Sequence, residues 1–95
     1  MRQIQQMQSR LQRVQEELGE ATMEGTAGGG AVKVVVDGHQ NVRSVEIAPE
    51  VVDPEEVEML QEMVLAATTD ALEQSKKIAA EKMAPLTGGL NLPGV

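Results

Sequence analysis

Ile4, Met7, Leu11, Val14 and Leu18 recur at spacings of 3, 4, 3 and 4, with Gln, Arg, Ser and Glu between them. Apolar positions alternating by three and four lie on one face of an α-helix in the a/d heptad pattern. The spacing predicts a helix from about Arg2 to Leu18, about 25 Å long at 1.5 Å per residue. Gly19 suits the position just past its end, where glycine enters the left-handed conformation cheaply. Under three heptads do not make a coiled coil that stands by itself, so the stripe is expected to pack on another element. The period then changes. Gly28-Gly29-Gly30 breaks any regular element, and Ala31–Asp37 is rich in β-branched residues, as strands are. A short connection runs from Asp37-Gly38 through Asn41. Val42–Ala48 reads as a second strand, with Val45 and Ile47 on one face and Ser44 and Glu46 on the other. These two segments predict an antiparallel hairpin. Ala21–Ala27 is a candidate third strand whose small, mixed side chains leave the assignment open.

The last long pattern is helical again. Asp53-Pro54-Glu55-Glu56 is a start signal: Asp53 as cap, Pro54 at the first helical position, and acids at the positive end of the helix dipole. With Pro85 and the glycines at 88 and 89 as terminators, the helix is expected from Pro54 to Ala84, about 46 Å if unbroken. It carries two apolar stripes. Val57, Leu60, Val64, Ala67, Ala71 and Ile78 form one, suited to this chain's own sheet and first helix. Leu65, Leu72, Ala79 and Met83 form the other, roughly 100–120° around the axis, and call for a second surface. Residues 1–86 are therefore read as a single α+β domain: two long helices flanking a small antiparallel sheet of two or three strands. Residues 87–95 are read as a flexible Gly/Pro tail.

Composition sharpens this. The chain has 95 residues and no Phe, Tyr, Trp or Cys. A domain this small, built on Val, Ala, Leu, Met and Ile, is marginal alone, so a homodimer that completes the core is expected. Disulfides and thiolate metal sites are excluded. One histidine, His39, does not make a zinc site and is read as an exposed turn residue; no metal and no cofactor is expected. No stretch approaches the ~20 apolar residues of a membrane span, and no signal-peptide pattern is visible, so a cytoplasmic protein is expected.

Charge adds a polarity along the chain. Residues 1–15 and 71–95 carry Arg2, Arg10, Arg13, Lys76, Lys77 and Lys82 against Glu73 and Glu81, a balance of +4. Residues 16–70 carry Lys33 and Arg43 against thirteen acids, a balance of −11. In a helix–hairpin–helix chain the start of the first helix and the end of the second lie at the same distal end, so the two basic clusters should converge there. At 100° per residue Arg2, Arg10 and Arg13 fall within about 80° of one another, away from the apolar stripe. Such a tip could grip a polyanion although the whole molecule is acidic.

Other motifs are better explained by structure. Gly28-Gly29-Gly30 precedes a strand and lacks a following Lys-Ser/Thr pair, so it is a turn and not a phosphate loop. Glu50, Asp53, Glu55, Glu56, Glu58 and Glu62 fit the first turns of a helix and its solvated face. Ser9, Ser44 and Ser75 have no nucleophile context near His39, and no constellation of acid, base and nucleophile emerges, so an enzyme is not expected.

Several segments, taken in order, resemble the YbaB/EbfC family of bacterial nucleoid-associated proteins. They are Gln5-Gln6-Met7-Gln8, Glu16-Glu17-Leu18, Gly28 through Val34, the Gly38 turn, Val45-Glu46-Ile47 with Pro49, Asp70-Ala71, Glu81-Lys82-Met83, and Leu86 through Leu90 with Pro93-Gly94. The resemblance implies a tweezer-like α–β–α homodimer in the nucleoid that binds double-stranded DNA with weak sequence preference, in chromosome organisation or gene regulation. It also hints at a recombinational-repair protein as partner. The charge map supplies the candidate DNA contacts: Arg2, Arg10, Arg13, Lys76, Lys77 and Lys82. The rival readings are a prefoldin-like holder of unfolded clients and a scaffold that never touches DNA.

Overall fold

A computed structural model describes residues 2–87. In chain order the elements are α1 (Arg2–Glu20), β1 (Thr22–Ala27), β2 (Val32–Asp37), β3 (Val42–Ile47) and α2 (Val57–Thr87). The strands form one antiparallel sheet in the order β1-β2-β3. The expected α+β architecture is observed, and the open question of Ala21–Ala27 resolves in favour of a third strand.

Antiparallel partners share a face of the sheet, so the register sorts the side chains. Met23, Gly25 and Ala27 of β1 oppose Val36, Val34 and Val32 of β2. Those three valines are fully buried, together with Ala67 and Ala71 of α2, and Leu60, Met63, Val64 and Leu72 pack around them. The core is thus one face of β1 and β2 against Leu60, Val64, Ala67 and Ala71 of the first apolar stripe of α2, joined by Met63 and by Leu72, which the sequence spacing assigns to the second stripe. The opposite face carries rows such as Thr26, Lys33 and Glu46 and is polar apart from Val35. Gly25 sets the distance between helix and sheet. A Cβ there would collide with the Ala67 carbonyl oxygen and stand 2.5 Å from the Ala71 nitrogen. Small residues in β1, which weakened its strand signal, are what let α2 lie close.

β3 differs. A bulge between Val35 and Val36 leaves Arg43 unpaired, so Ser44 opposes Val35 and Val42 opposes Val36. The extra residue turns Val42 to the same face as Val45 and Ile47, the face that α2 covers on β1 and β2. Over β3 no helix follows, and Val42, Val45 and Ile47 are 52%, 50% and 38% exposed.

Element boundaries moved for identifiable reasons. Asp53 does not cap α2. Its carboxylate accepts the Glu55 N–H at 2.9 Å and its carbonyl the Glu56 N–H at 2.9 Å, closing a turn. The carbonyl of Glu56 takes the first helical bond, from the Leu60 N–H, so the helix starts at Val57 and not at Pro54. At the other end Pro85 lies inside α2, which runs on to Thr87; α1 likewise passes Gly19 to Glu20. Of the tail expected over 87–95, Thr87 is helical and the rest lies outside the described residues. The heptad stripe of α1 packs only in part. Leu18 is buried and Val14 half-buried, whereas Ile4, Met7 and Leu11 are 63%, 61% and 40% exposed. The molecule is elongated, 63 × 26 × 15 Å.

Candidate nucleic-acid interface

The end of α1 is clamped to the turn between β2 and β3. The Gly38 N–H donates to the Leu18 carbonyl at 2.7 Å, and a Cβ on Gly38 would lie 2.5 Å from that oxygen. His39 Nε2 donates to the Gln15 carbonyl at 2.8 Å, and Arg43 reaches the Gly19 carbonyl at 3.5 Å. The contacts at Leu18 and Gly19 occupy carbonyls that the end of a helix leaves open. His39 is exposed, as expected, but it also tethers a helix, which its place in a turn did not reveal. Asp37 organises the turn from inside. Fully buried, it accepts from the His39 N–H, the Asn41 N–H, the Asn41 side chain and Arg43. Its backbone carbonyl accepts from the buried Ser75 hydroxyl of α2 at 2.7 Å, and Gln40, at a φ of +64°, donates its side-chain amide to that hydroxyl. One turn therefore joins α1, the sheet and α2, and fixes the direction in which α1 projects.

From this anchor α1 runs antiparallel to the last turns of α2. Lys82 pairs with Glu17 at 3.4 Å across the two helices. Closer to the tip, Arg10, Arg13 and Val14 of α1 border a groove of about 320 Å³ with Lys82, Pro85 and Leu86 of α2. The other flank of α1 presents Arg2, Gln5, Gln6, Ser9, Arg10 and Arg13 along a shallow groove of about 440 Å³. Arg2 and Arg13 are eleven residues apart, so this row is about 16 Å long. Arg10 belongs to both grooves.

The structure thus brings Arg10 and Arg13 to Lys82 and sets Arg2 in line with them. It does not bring Lys76 and Lys77 there. They follow the buried Ser75, beside the Asp37 turn, and line neither groove. The reason is the rise of a helix: six residues separate Lys76 from Lys82, about 9 Å along the axis. The sequence reading also passed over Gln5, Gln6 and Ser9, which share the arginine face. Their signal was their spacing of three and four from Arg2, Arg10 and Arg13. Uncharged side chains of this kind commonly donate to phosphate oxygens. The Lys82–Glu17 pair escaped too, because nothing in either helix alone sets their mutual register. Among the described residues no group of three or more His, Cys, Asp or Glu could hold a metal ion. No described helix is long and apolar enough to cross a membrane.

The model of the YbaB/EbfC DNA-binding family matches residues 1–90. This chain belongs to the YbaB/EbfC DNA-binding family. It is 53% identical over 95 residues to a nucleoid-associated protein of Pelotomaculum thermopropionicum, covering 100% of this chain and 90% of that protein. It is 54% identical over 90 residues to a nucleoid-associated protein of Chloroflexus aurantiacus, covering 95% and 90% of the two chains. Among solved structures, an uncharacterized protein from Helicobacter pylori shares the fold, with a TM-score of 0.65 and 20% identity over 92% of this chain and 96% of that one.

Proposed function

We propose that the chain is a nucleoid-associated protein that binds double-stranded DNA as a tweezer-like homodimer, holding the phosphate backbone through the basic face of α1 and the adjoining end of α2. The observation that carries the reading is the juxtaposition of Arg10 and Arg13 with Lys82 in a molecule of net charge −7. The acidic body repels DNA, so binding is confined to the tips. The arginine row, about 16 Å long, is long enough to meet phosphates on both sides of a major groove about 12 Å wide. Without aromatic residues the protein does not stack on bases or wedge them apart with a ring, and backbone contacts of this kind tolerate sequence change. Its place is the nucleoid, in the cytoplasm, and its role is organisation or regulation of the chromosome without catalysis. Partnership with a recombinational-repair protein rests on the family resemblance alone.

The test is a salt titration of binding to two unrelated duplexes. With four to eight phosphates neutralised per dimer, log K should fall against log salt with a slope of roughly −4 to −7, alike for both duplexes. Arg10→Glu combined with Arg13→Glu should weaken binding at low salt at least about a hundredfold with an unchanged circular dichroism spectrum. Lys76→Glu with Lys77→Glu should weaken it less. Full affinity in the arginine pair would remove the reading.

A further inference from the structure

The basic groove has an acid at the end nearer the sheet. Lys82 Nζ donates to Glu17 Oε2 at 3.4 Å. Among the described residues Lys82 is the only candidate DNA contact held in an ion pair. Glu17 also follows Arg13 by four residues, one turn and about 6 Å along α1, so the two sit on the same side of that helix. The groove in which Arg10 and Arg13 face Lys82 therefore ends at a carboxylate.

Stability gives little reason for this pair. Its side chains are 38% and 46% exposed, and an exposed ion pair contributes little to folding. The end of α1 is already fixed to the body through Gly38, His39 and Arg43. For an anionic ligand the same carboxylate matters more. A phosphate oxygen that accepts from Lys82 must take the place of Glu17, and it then lies beside a like charge.

We propose, on the reading that this tip binds DNA, that Glu17 is an internal competitor for phosphate: it holds Lys82 back and so lowers the affinity of the tip. Arg10 and Arg13 then carry the grip in the wild type, and Lys82 is a phosphate contact kept in reserve.

The test is a double-mutant cycle on the full chain, read by the same salt titration. Glu17→Gln should tighten binding at low salt about threefold to tenfold and steepen the log–log slope by roughly 0.9 per protomer, as Lys82 takes up a phosphate. Glu16→Gln is the control. It removes the same charge one residue away, from a side chain with no ion pair among the described residues, and it reports general repulsion between the protein and DNA. Its gain should be smaller, with the slope unchanged. In a Lys82→Gln background the gain from Glu17→Gln should shrink to that of Glu16→Gln. All four exchanges are at exposed side chains, so circular dichroism should stay as in the wild type. A gain from Glu17→Gln no larger than that from Glu16→Gln, or one that persists in full without Lys82, would overturn the proposal. Either result leaves the tip reading standing if Arg10→Glu with Arg13→Glu still weakens binding. Full affinity in that arginine pair would remove the reading and the proposal together.

Discussion

Asp37 shows how one side chain fixes the direction in which a helix projects. Burial alone pushes a carboxyl toward its neutral form. The backbone N–H groups of Asn41 and His39, the Asn41 amide and the Arg43 guanidinium outweigh this and hold its pKa at about 2, below the ordinary 3.8. The Arg43 contact is 2.8 Å at a side chain 57% exposed, so water screens the charge and the directed hydrogen bonds matter more. A group whose pKa is depressed by folding stabilises the native state above its unfolded value and loses that contribution as the pH falls through its folded value. The loss from Asp37 therefore falls between about pH 4 and pH 2. Asp37→Asn should lower the melting temperature at pH 7, since the amide presents an N–H₂ group to donors. Below pH 4 the variant should lose less further stability than the wild type. Melting curves for both proteins at pH 7, 4 and 2 check this, and a constant difference at all three would show that Asp37 does not titrate in this window.

At the scale of elements, the approach of α2 to β1 depends on a missing side chain. Gly25→Ala sets a methyl against the backbone of Ala67 and Ala71, neither of which is the free end of a flexible side chain. Helix and sheet must separate, at a cost of about 1–3 kcal/mol or more. Gly29→Ala is the comparison: at a φ of +70° with nothing within 4 Å, it meets only backbone strain of about 1 kcal/mol. Urea unfolding of the two variants should rank them in that order, and equal midpoints would mean that α2 shifts freely over the sheet. This packing also explains what could be read from the chain beforehand. Both helices and the β2–β3 hairpin were legible because their periodicities repeat over many residues. β1 was legible only as a candidate, since Gly25 and Ala27 are small for the sake of a helix that packs on them from far along the chain. Asp53 misled because an acid followed by proline serves a turn as well as a cap. Of the candidate site, the arginine row followed from angular arithmetic within one helix. The separation of Lys76 and Lys77 from Lys82, and the pairing of Lys82 with Glu17, depend on how two helices align, which neither pattern contains.

For the whole molecule, the question is what covers β3. The chain has a radius of gyration of 17.8 Å, against about 13 Å for a compact domain of 100 residues, so a single protomer buries its surface poorly. Its two sheet edges are treated unequally. On β1 the Gln74 side chain donates to the Glu24 carbonyl at 2.9 Å and Asp70 accepts the Thr26 N–H at 3.4 Å, so α2 closes that edge. Among the described residues nothing reaches the outer edge of β3, and the bulge at Arg43 has gathered Val42, Val45 and Ile47 beside it on one face. An open edge lined by apolar side chains invites another strand. In the proposed homodimer a second copy supplies it, with the same patch meeting itself across a two-fold axis. This pairing leaves the α1 tips free, and two tips on one duplex bind more tightly than either alone. Val45→Glu places a carboxylate at the centre of that patch, far from the arginine row. Sedimentation should then report a monomer at concentrations where the wild type is a dimer. DNA affinity should fall at least about tenfold through lost bivalence, although every candidate cation remains. If Val45→Glu still sediments as a dimer, the pairing runs through another surface; if it is monomeric yet binds DNA as well as the wild type, one tip suffices and the tweezer has no part in binding.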